Sequence, residues 1–298
     1  MLRKLIQRGL AAFGLAALAS CATVPQTAPS GKPAMWRVAD ADTTIYLFGT
    51  IHMLPANAAW QTPAFQQAVA TSQGLFVETI VDERNPQQLA GELATLGFSA
   101  GLPPIAQRVP PEKLPLLEAA IAKTGVPRPL FDRMETWAAA FTLLGTQFKG
   151  LGLQGELGVE AVLKSSFNQA GKPIGQLETN REQLSLFDTL PETAQRALLE
   201  GSIDSPETIR QQFGGMLAAW LSGDVDTIAR AFNQDLAQSP ELMDAMIRRR
   251  NANWSRWIEQ RMAAPGTVMV AVGAGHLAGD SSVQRYLESR GLKVTRVQ

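Results

Sequence analysis

The chain of 298 residues contains only two histidines, and each ends the same pattern of one glycine, two further residues and a histidine. The patterns are Gly49-Thr50-Ile51-His52 and Gly273-Ala274-Gly275-His276. Imidazole binds metal ions and transfers protons near neutral pH, so the repeated motif indicates either chemistry. We expect Gly49, Gly273 and Gly275 to have structural roles at the same site, because glycine permits sharp turns and close approach of the backbone.

Each histidine motif follows a short apolar run that is rich in residues with a preference for β-strands. The runs are Thr44-Ile45-Tyr46-Leu47-Phe48 and residues 267–272. These runs predict buried strands, and each histidine is therefore expected just beyond the carboxyl end of a strand. In α/β folds, ligands bind at that edge of the sheet.

A predicted strand-helix-strand unit connects His52 to a carboxylate. Thr62-Pro63 indicates a helix start and Gly74 a helix end, which predicts a helix over residues 63–73. The next strand, Leu75-Phe76-Val77, ends at Glu78. Strands in such a unit are parallel, so His52 and Glu78 are expected on the same edge of the sheet.

Three further charged residues are candidates for this site. Glu178 follows a short predicted strand, residues 173–177, and Glu160 lies at a helix start, where it would also favour the helix dipole. Arg250 continues an apolar stripe at helical spacing, so its guanidinium either points inward to Glu78 or Glu178 or has its stem on the stripe and its head in water.

Two histidines and a glutamate are a ligand set that binds a divalent metal while leaving a position open for water. We therefore expect His52, His276 and Glu78 to bind a metal whose water attacks an amide or ester carbonyl. Glu178 or Arg250 would orient the ligands or stabilise the oxyanion. In one alternative a histidine is a general base without metal, oriented by Glu78 or Glu178. In another the protein captures a peptide or a small molecule such as haem without catalysis.

The order of predicted elements indicates one α/β domain over residues 36–298. Its expected fold is a central mixed, partly parallel sheet that carries the two histidine motifs, with a large helical insert between them. Helices are predicted at 86–96, 111–123 and 135–148, with further helix starts at Ser205 and Ser239 and a closing helix near 281–290. A last strand is predicted at 292–297.

The first twenty residues have the pattern of a signal peptide. Basic residues precede an uncharged run, residues 9–19, which is too short for a membrane span of about 20 residues. The end of this run overlaps the stretch Leu18-Ala19-Ser20-Cys21, which resembles the processing box of bacterial lipoproteins. Cys21 is the only cysteine, so an internal disulfide is impossible and lipidation of this residue is expected.

The predicted lipid anchor and tether indicate a location in the bacterial cell envelope. A non-acidic Ala22 after the cysteine resembles the pattern sorted to the outer membrane, so we expect a lipoprotein that faces the periplasm. Residues 21–35, rich in Pro, Thr, Ala and Ser, are expected to be a flexible tether. Cleavage would remove three of the 27 basic residues and none of the 27 acidic ones, a balance that predicts no nucleic-acid partner.

The chain resembles the TraB/GumN proteins, which include the Tiki metalloproteases, over nearly all of residues 36–298. The family's pattern usually has aspartate where this chain has Glu160. The resemblance rests on residues 46–52, Leu75-Phe76-Val77-Glu78, Leu177-Glu178-Thr179 with Gln183, Arg250-Asn251 with Trp254, and residues 270–279.

The resemblance implies an α/β fold with both histidine motifs at one active site. In the Tiki branch it implies a metal-dependent proteolytic activity that uses manganese or cobalt, with zinc as a further candidate for this ligand set. The same superfamily includes erythromycin esterases, in which the histidine works as a base without metal, and haem-binding lipoproteins. The resemblance therefore implies the fold more firmly than the reaction.

Overall fold

The computed structural model describes residues 31–81, 86–236 and 239–298. The expected signal peptide, Cys21 and the tether up to residue 30 lie outside these residues. Within the described ranges, no helix has both the length and the apolar character that crossing a membrane requires.

One mixed sheet of six strands forms the centre of the fold. Across the sheet the order is β4-β3-β5-β2-β1-β6. The first four strands in this order are parallel to one another, whereas β1 pairs antiparallel with both β2 and β6. The strands are β1 (Met35–Ala39), β2 (Thr43–Thr50), β3 (Gly74–Val77), β4 (Ile174–Gln176), β5 (Gly266–Gly273) and β6 (Val294–Arg296).

Helices cover the sheet and form most of the segment between β3 and β5, as the sequence predicts. The α-helices are α1 (Pro63–Thr71), α2 (Pro86–Leu96), α3 (Leu114–Thr124), α4 (Arg128–Phe131), α5 (Thr136–Gly150), α6 (Val159–Gln169), α7 (Asn180–Asp188), α8 (Glu192–Ser202), α9 (Pro206–Ser222), α10 (Val225–Leu236), α11 (Pro240–Met243), α12 (Arg249–Arg261) and α13 (Val283–Ser289). Short 3-10 turns occupy Ile105–Gln107, Pro111–Lys113, Gly155–Leu157 and Ala274–Leu277, and a π-helical turn, Asp244–Arg248, joins α11 to α12.

Hydroxyl side chains begin several helices where the sequence predicts a start. Thr62 accepts a hydrogen bond from the N–H of Phe65, and Ser205 and Ser239 cap α9 and α11 in the same way. The predicted helix over residues 111–123 differs, because its first three residues form a separate 3-10 turn. Pro115 has no N–H to donate to residue 111, which favours a new helix start at Leu114, with the proline in its first turn.

Apolar side chains pack on both faces of the sheet. On one face, Phe48, Trp60, Phe65 and Trp220 pack against one another with ring centroids 4.6 to 6.4 Å apart. On the other face, α12 and α13 cover the alternate residues of β1, β2 and β5. Burial of one such large side chain stabilises the fold by about 1.5–3 kcal/mol. The strand ends that carry the candidate site are therefore held by a close-packed core.

Candidate active site

Four parallel strands bring four of the predicted residues to one edge of the sheet. Glu178 follows β4, Glu78 follows β3, His52 follows β2, and His276 lies in the turn Ala274–Leu277 after β5. Because β5 lies between β3 and β2, the strand next to that of Glu78 leads to His276 and not to His52. The prediction that His52 and Glu78 lie at the same edge of the sheet is therefore correct. The two strands that lead to them, β2 and β3, are not neighbours, because β5 lies between them.

A buried cluster forms around Arg250, whose side chain points inward. Its Nη2 lies 2.6 Å from Oε2 of Glu78, its Nε lies 3.0 Å from Oε1 of Glu178, and its Nη1 lies 3.0 Å from Nε2 of His276. Nη1 also donates to the carbonyl of Met246. The side chains of Arg250 and both glutamates are no more than 10% exposed. Of the two orientations that the sequence leaves open, the side chain has the inward one, and the arginine binds both candidate carboxylates.

Further donors complete the hydrogen bonds of the two carboxylates. The amide of Gln183 donates to Glu78 at 3.1 Å and to Glu178 at 3.2 Å. The backbone N–H of Gly273 donates to Oε1 of Glu78 at 2.7 Å. Each oxygen of Glu78 therefore accepts at least one hydrogen bond from the protein.

The two glutamates of this cluster differ in their pKa. Burial by itself would raise the pKa of Glu78, but the neighbouring His276 and Arg250 outweigh burial and lower this pKa to about 2. For Glu178, burial is the stronger influence and raises the pKa despite the contact with Arg250.

Asn251 fixes the protonation of the buried His276. The Asn251 amide nitrogen donates to the carbonyls of His276 and Ser281, so its oxygen, 2.7 Å from Nδ1 of His276, accepts the proton of that ring nitrogen. Nε2 consequently has a free electron pair, which accepts from Arg250. Burial lowers the pKa of His276 to about 3, so the ring is neutral. The ring of Trp254 lies 4.5 Å away and supports it.

His52 occupies a different environment. Its Nδ1 lies 2.8 Å from Oε1 of Glu160, and its side chain is 74% exposed. The Thr50 hydroxyl donates to the same carboxylate oxygen. Glu160 raises the pKa of His52 to about 9. The pair exists because α6 begins beside the strand end, where the N–H of Val159 donates to the carbonyl of Ile51 at 3.0 Å.

The three glycines of the histidine motifs allow close packing at this edge. A Cβ at Gly275 would lie 2.6 Å from the ring of Phe232, and one at Gly49 would lie 3.1 Å from a backbone carbon of the turn after β5. A Cβ at Gly273 would lie 3.3 Å from Oε1 of Glu78. These contacts leave no room for a Cβ at Gly275 and little room at Gly49 and Gly273, and the structural roles of the three glycines stay a prediction.

Comparison with known proteins shows the family to which the chain belongs. The profile of the TraB/PrgY/gumN family matches residues 34–296. The chain belongs to this family. Relatives of this TraB/PrgY/gumN protein include the uncharacterized protein YbaP of Escherichia coli K12, which is 27% identical over 246 residues, or 81% of this chain and 87% of YbaP. The protein of the same name from Shigella flexneri matches equally well. No solved structure matches the chain.

The side chains of this TraB/PrgY/gumN protein do not fit the expected metal ion as they are arranged. Among the described residues, no group of three or more His, Cys, Asp or Glu side chains could hold a metal ion. Both ring nitrogens of His276 and both oxygens of Glu78 are already hydrogen-bonded, and the cationic Arg250 lies between them. The ligand set of His52, His276 and Glu78 thus stays a prediction from sequence.

Several residues of the TraB/PrgY/gumN site have roles that the motifs do not indicate. Glu160 is a candidate in the sequence, but its position at a helix start says nothing of its contact with His52. Gln183 and Asn251 are named by the family resemblance without a role. The sequence could have indicated a role for Asn251, because this polar residue lies at helical spacing on the buried stripe of Trp254 and Ile258.

Proposed function

We propose that this TraB/PrgY/gumN protein is a hydrolase that cleaves an amide or ester bond of a peptide or small molecule, with His52 as the residue that transfers the proton. The pair of His52 and Glu160 carries the proposal. Glu160 binds Nδ1 at 2.8 Å and so orients the ring, which leaves Nε2 on a side chain that solvent and substrate can reach.

The proposed reaction needs water as the only co-reactant. A water oxygen attacks the carbonyl carbon while its proton passes to Nε2 of His52, and the imidazolium then gives a proton to the leaving nitrogen or oxygen. The products are a carboxylic acid and an amine or alcohol. His52 must be neutral to accept the first proton, so the active fraction should rise with pH through its pKa of about 9.

The buried cluster has a supporting role in this proposal. Arg250 has five N–H groups, and all five have partners in Glu78, Glu178, His276 and the carbonyl of Met246. None is left to donate to an oxyanion. We therefore assign Arg250 to holding the two carboxylates at the sheet edge, in place of the expected role as an oxyanion donor.

A purely binding lipoprotein has less support. His52 has the carboxylate of Glu160 within hydrogen-bonding distance, at 2.8 Å, whereas Glu78 lies 3.7 Å from Nε2 of His276, beyond that distance. The pair of His52 and Glu160 tunes and orients a proton-transfer group, which capture of haem or a peptide does not require. An optical haem band in the purified protein would reverse this preference.

The proposed location is the cell envelope, by a lipid on Cys21. Replacement of Cys21 by Ala should move the protein from the membrane fraction to the soluble fraction. Equal membrane association of both forms would contradict lipidation as the anchor.

The hydrolase proposal is tested with the full chain on a panel of chromogenic peptide amides and esters. We expect turnover that survives prolonged chelation, and a loss of about 10²–10⁴-fold in His52→Ala. Arg285→Ala, an exposed change in α13, is the control and should keep wild-type turnover. Full turnover by a folded His52→Ala variant would overturn the proposal, and loss on chelation would favour the metal-dependent reaction.

A further inference from the structure

Three ionisable side chains converge on the guanidinium of Arg250. Glu78, Glu178 and His276 come from the ends of three different parallel strands, and each directs an electron pair at this one cation. Arg108 is also buried, but it binds the backbone carbonyls of Pro103, Asp132 and Met134. Bonds to backbone carbonyls indicate a role in holding a loop. Bonds to two carboxylates and an imidazole indicate a cation site.

The donor atoms of the three partners are of the types that bind metal ions. Carboxylate oxygens and a neutral imidazole nitrogen are common ligands of manganese, cobalt and zinc. Here the tautomer fixed by Asn251 directs the free electron pair of Nε2 at Arg250. A guanidinium satisfies such a set through its planar fork of five donors and has one permanent positive charge.

We infer that Arg250 is the resident cation of this sheet edge and occupies the place of a divalent metal ion among Glu78, Glu178 and His276. The native protein then binds no metal through these residues. Removal of the guanidinium would leave two carboxylates and one imidazole around an open space, which a divalent cation can fill. The inference goes beyond the proposed hydrolysis and does not depend on it, because its readouts are metal binding and thermal stability.

Arg250→Ala in the full chain tests this inference, with Arg249→Ala as the matched control. Arg249 is adjacent in α12, but its side chain is 57% exposed and pairs with Asp244. We expect Mn²⁺, Co²⁺ or Zn²⁺ to raise the melting temperature of Arg250→Ala by roughly 5–10 °C at about 100 times Kd. In the wild type and in Arg249→Ala, His276→Ala should not alter any change of melting temperature that these metal ions cause.

A cobalt titration identifies the ligands. The visible absorption of bound Co²⁺ should appear in Arg250→Ala and weaken by about tenfold or more in Arg250→Ala combined with His276→Ala. A folded Arg250→Ala that binds no divalent cation would overturn the inference. Wild-type cobalt binding that is lost in His276→Ala would also overturn it, because a metal would then displace the arginine.

Two further measurements keep the test decisive if Arg250→Ala does not fold. Arg250→Gln removes the charge but retains polar contacts, and it should show the same metal-dependent stabilisation. Arg250→Lys retains a cation and should behave like the wild type. The wild-type cobalt titration needs no substitution at residue 250 and decides the first half of the inference by itself.

Discussion

The backbone of Gly158 lies directly against the carbonyl oxygen of His52, so closely that a Cβ at residue 158 would be 2.0 Å from that oxygen. Gly158 is the residue before α6, and α6 carries Glu160 in its first turn. Because only glycine fits here, the helix can approach the strand end and place Glu160 beside His52. A residue with no side chain thus determines the geometry of the proposed proton-transfer pair.

Gly158→Ala should push α6 away from His52. The overlap is with backbone and cannot be relieved by a side-chain rotation, so we expect a loss of about 1–3 kcal/mol in the free energy of unfolding. The pKa of His52 should also fall from about 9 toward 6.5. Denaturant unfolding and an NMR titration of the His52 ring measure the two effects.

Gly155→Ala is the control for this change, because no atom lies within 4 Å of a Cβ at residue 155. Its effect on unfolding should stay within about 0.5 kcal/mol. Equal behaviour of the two alanine variants would contradict the steric role of Gly158.

Glu160→Gln should change the pH profile of turnover. Glu160 is the main cause of the raised pKa of His52, so its neutral isostere should return that pKa toward 6.5. The rising limb of activity should therefore move to lower pH. In the wild type, the pair also stabilises the fold fully below pH 6.5, and that contribution should disappear as pH rises through about 9. A rising limb at the same pH in both proteins would exclude His52 as the titrating group.

Asn251→Asp should raise the pKa of His276 above its value of about 3. A carboxylate in place of the amide would face the Nδ1 proton and favour the charged ring, by roughly 1–3 units. The change also removes the donor to two carbonyls, which should cost about 1–3 kcal/mol of stability. Nitrogen-15 spectra across pH measure the titration. Asn253→Asp, the same change at an exposed position of α12, should leave the pKa of His276 unaltered.

Acid should destabilise the protein through Glu78. Its pKa falls from 4.5 to about 2 on folding, so its contribution is present above pH 4.5 and is lost as pH falls through about 2. This loss should be on the order of 3 kcal/mol. Unfolding experiments across this range should show a shallower dependence on pH in Glu78→Gln. An unchanged slope would mean that Glu78 is not ionised in the folded protein.

Local sequence patterns predicted most elements of the fold because those elements follow from local interactions. The strands that end before His52, Glu78 and His276 and the helix starts at Ser205 and Ser239 lie where apolar runs and capping residues place them. β1 was not predicted, since this strand of five residues is stabilised by its pairing with β2 and β6. The insertion of β5 between β2 and β3 is likewise a long-range pairing.

The site was predictable in its location but not in its pairs. Parallel strands placed His52 and Glu78 at one edge, and the family resemblance added His276. Helical periodicity left the Arg250 guanidinium either inward or in water, and the structure has it inward. The partner of His52 depends instead on the distance between Gly158 and a carbonyl oxygen. The spacing of residues along the chain gives no information about this distance. The sequence therefore predicts that His52 lies beside Glu78, whereas the structure pairs His52 with Glu160.

The π-helical turn Asp244–Arg248 makes the site sensitive to the number of residues before it. A π turn contains one residue more than the α turn it replaces, and each residue of an α-helix rotates the chain by about 100°. Deletion of one residue from this turn would regularise the helix and rotate α12 relative to α11. Arg250, Asn251 and Trp254 would all remain in the sequence but face a new direction. Deletion of one residue from the π turn would therefore change the direction of these three side chains without replacing any of them.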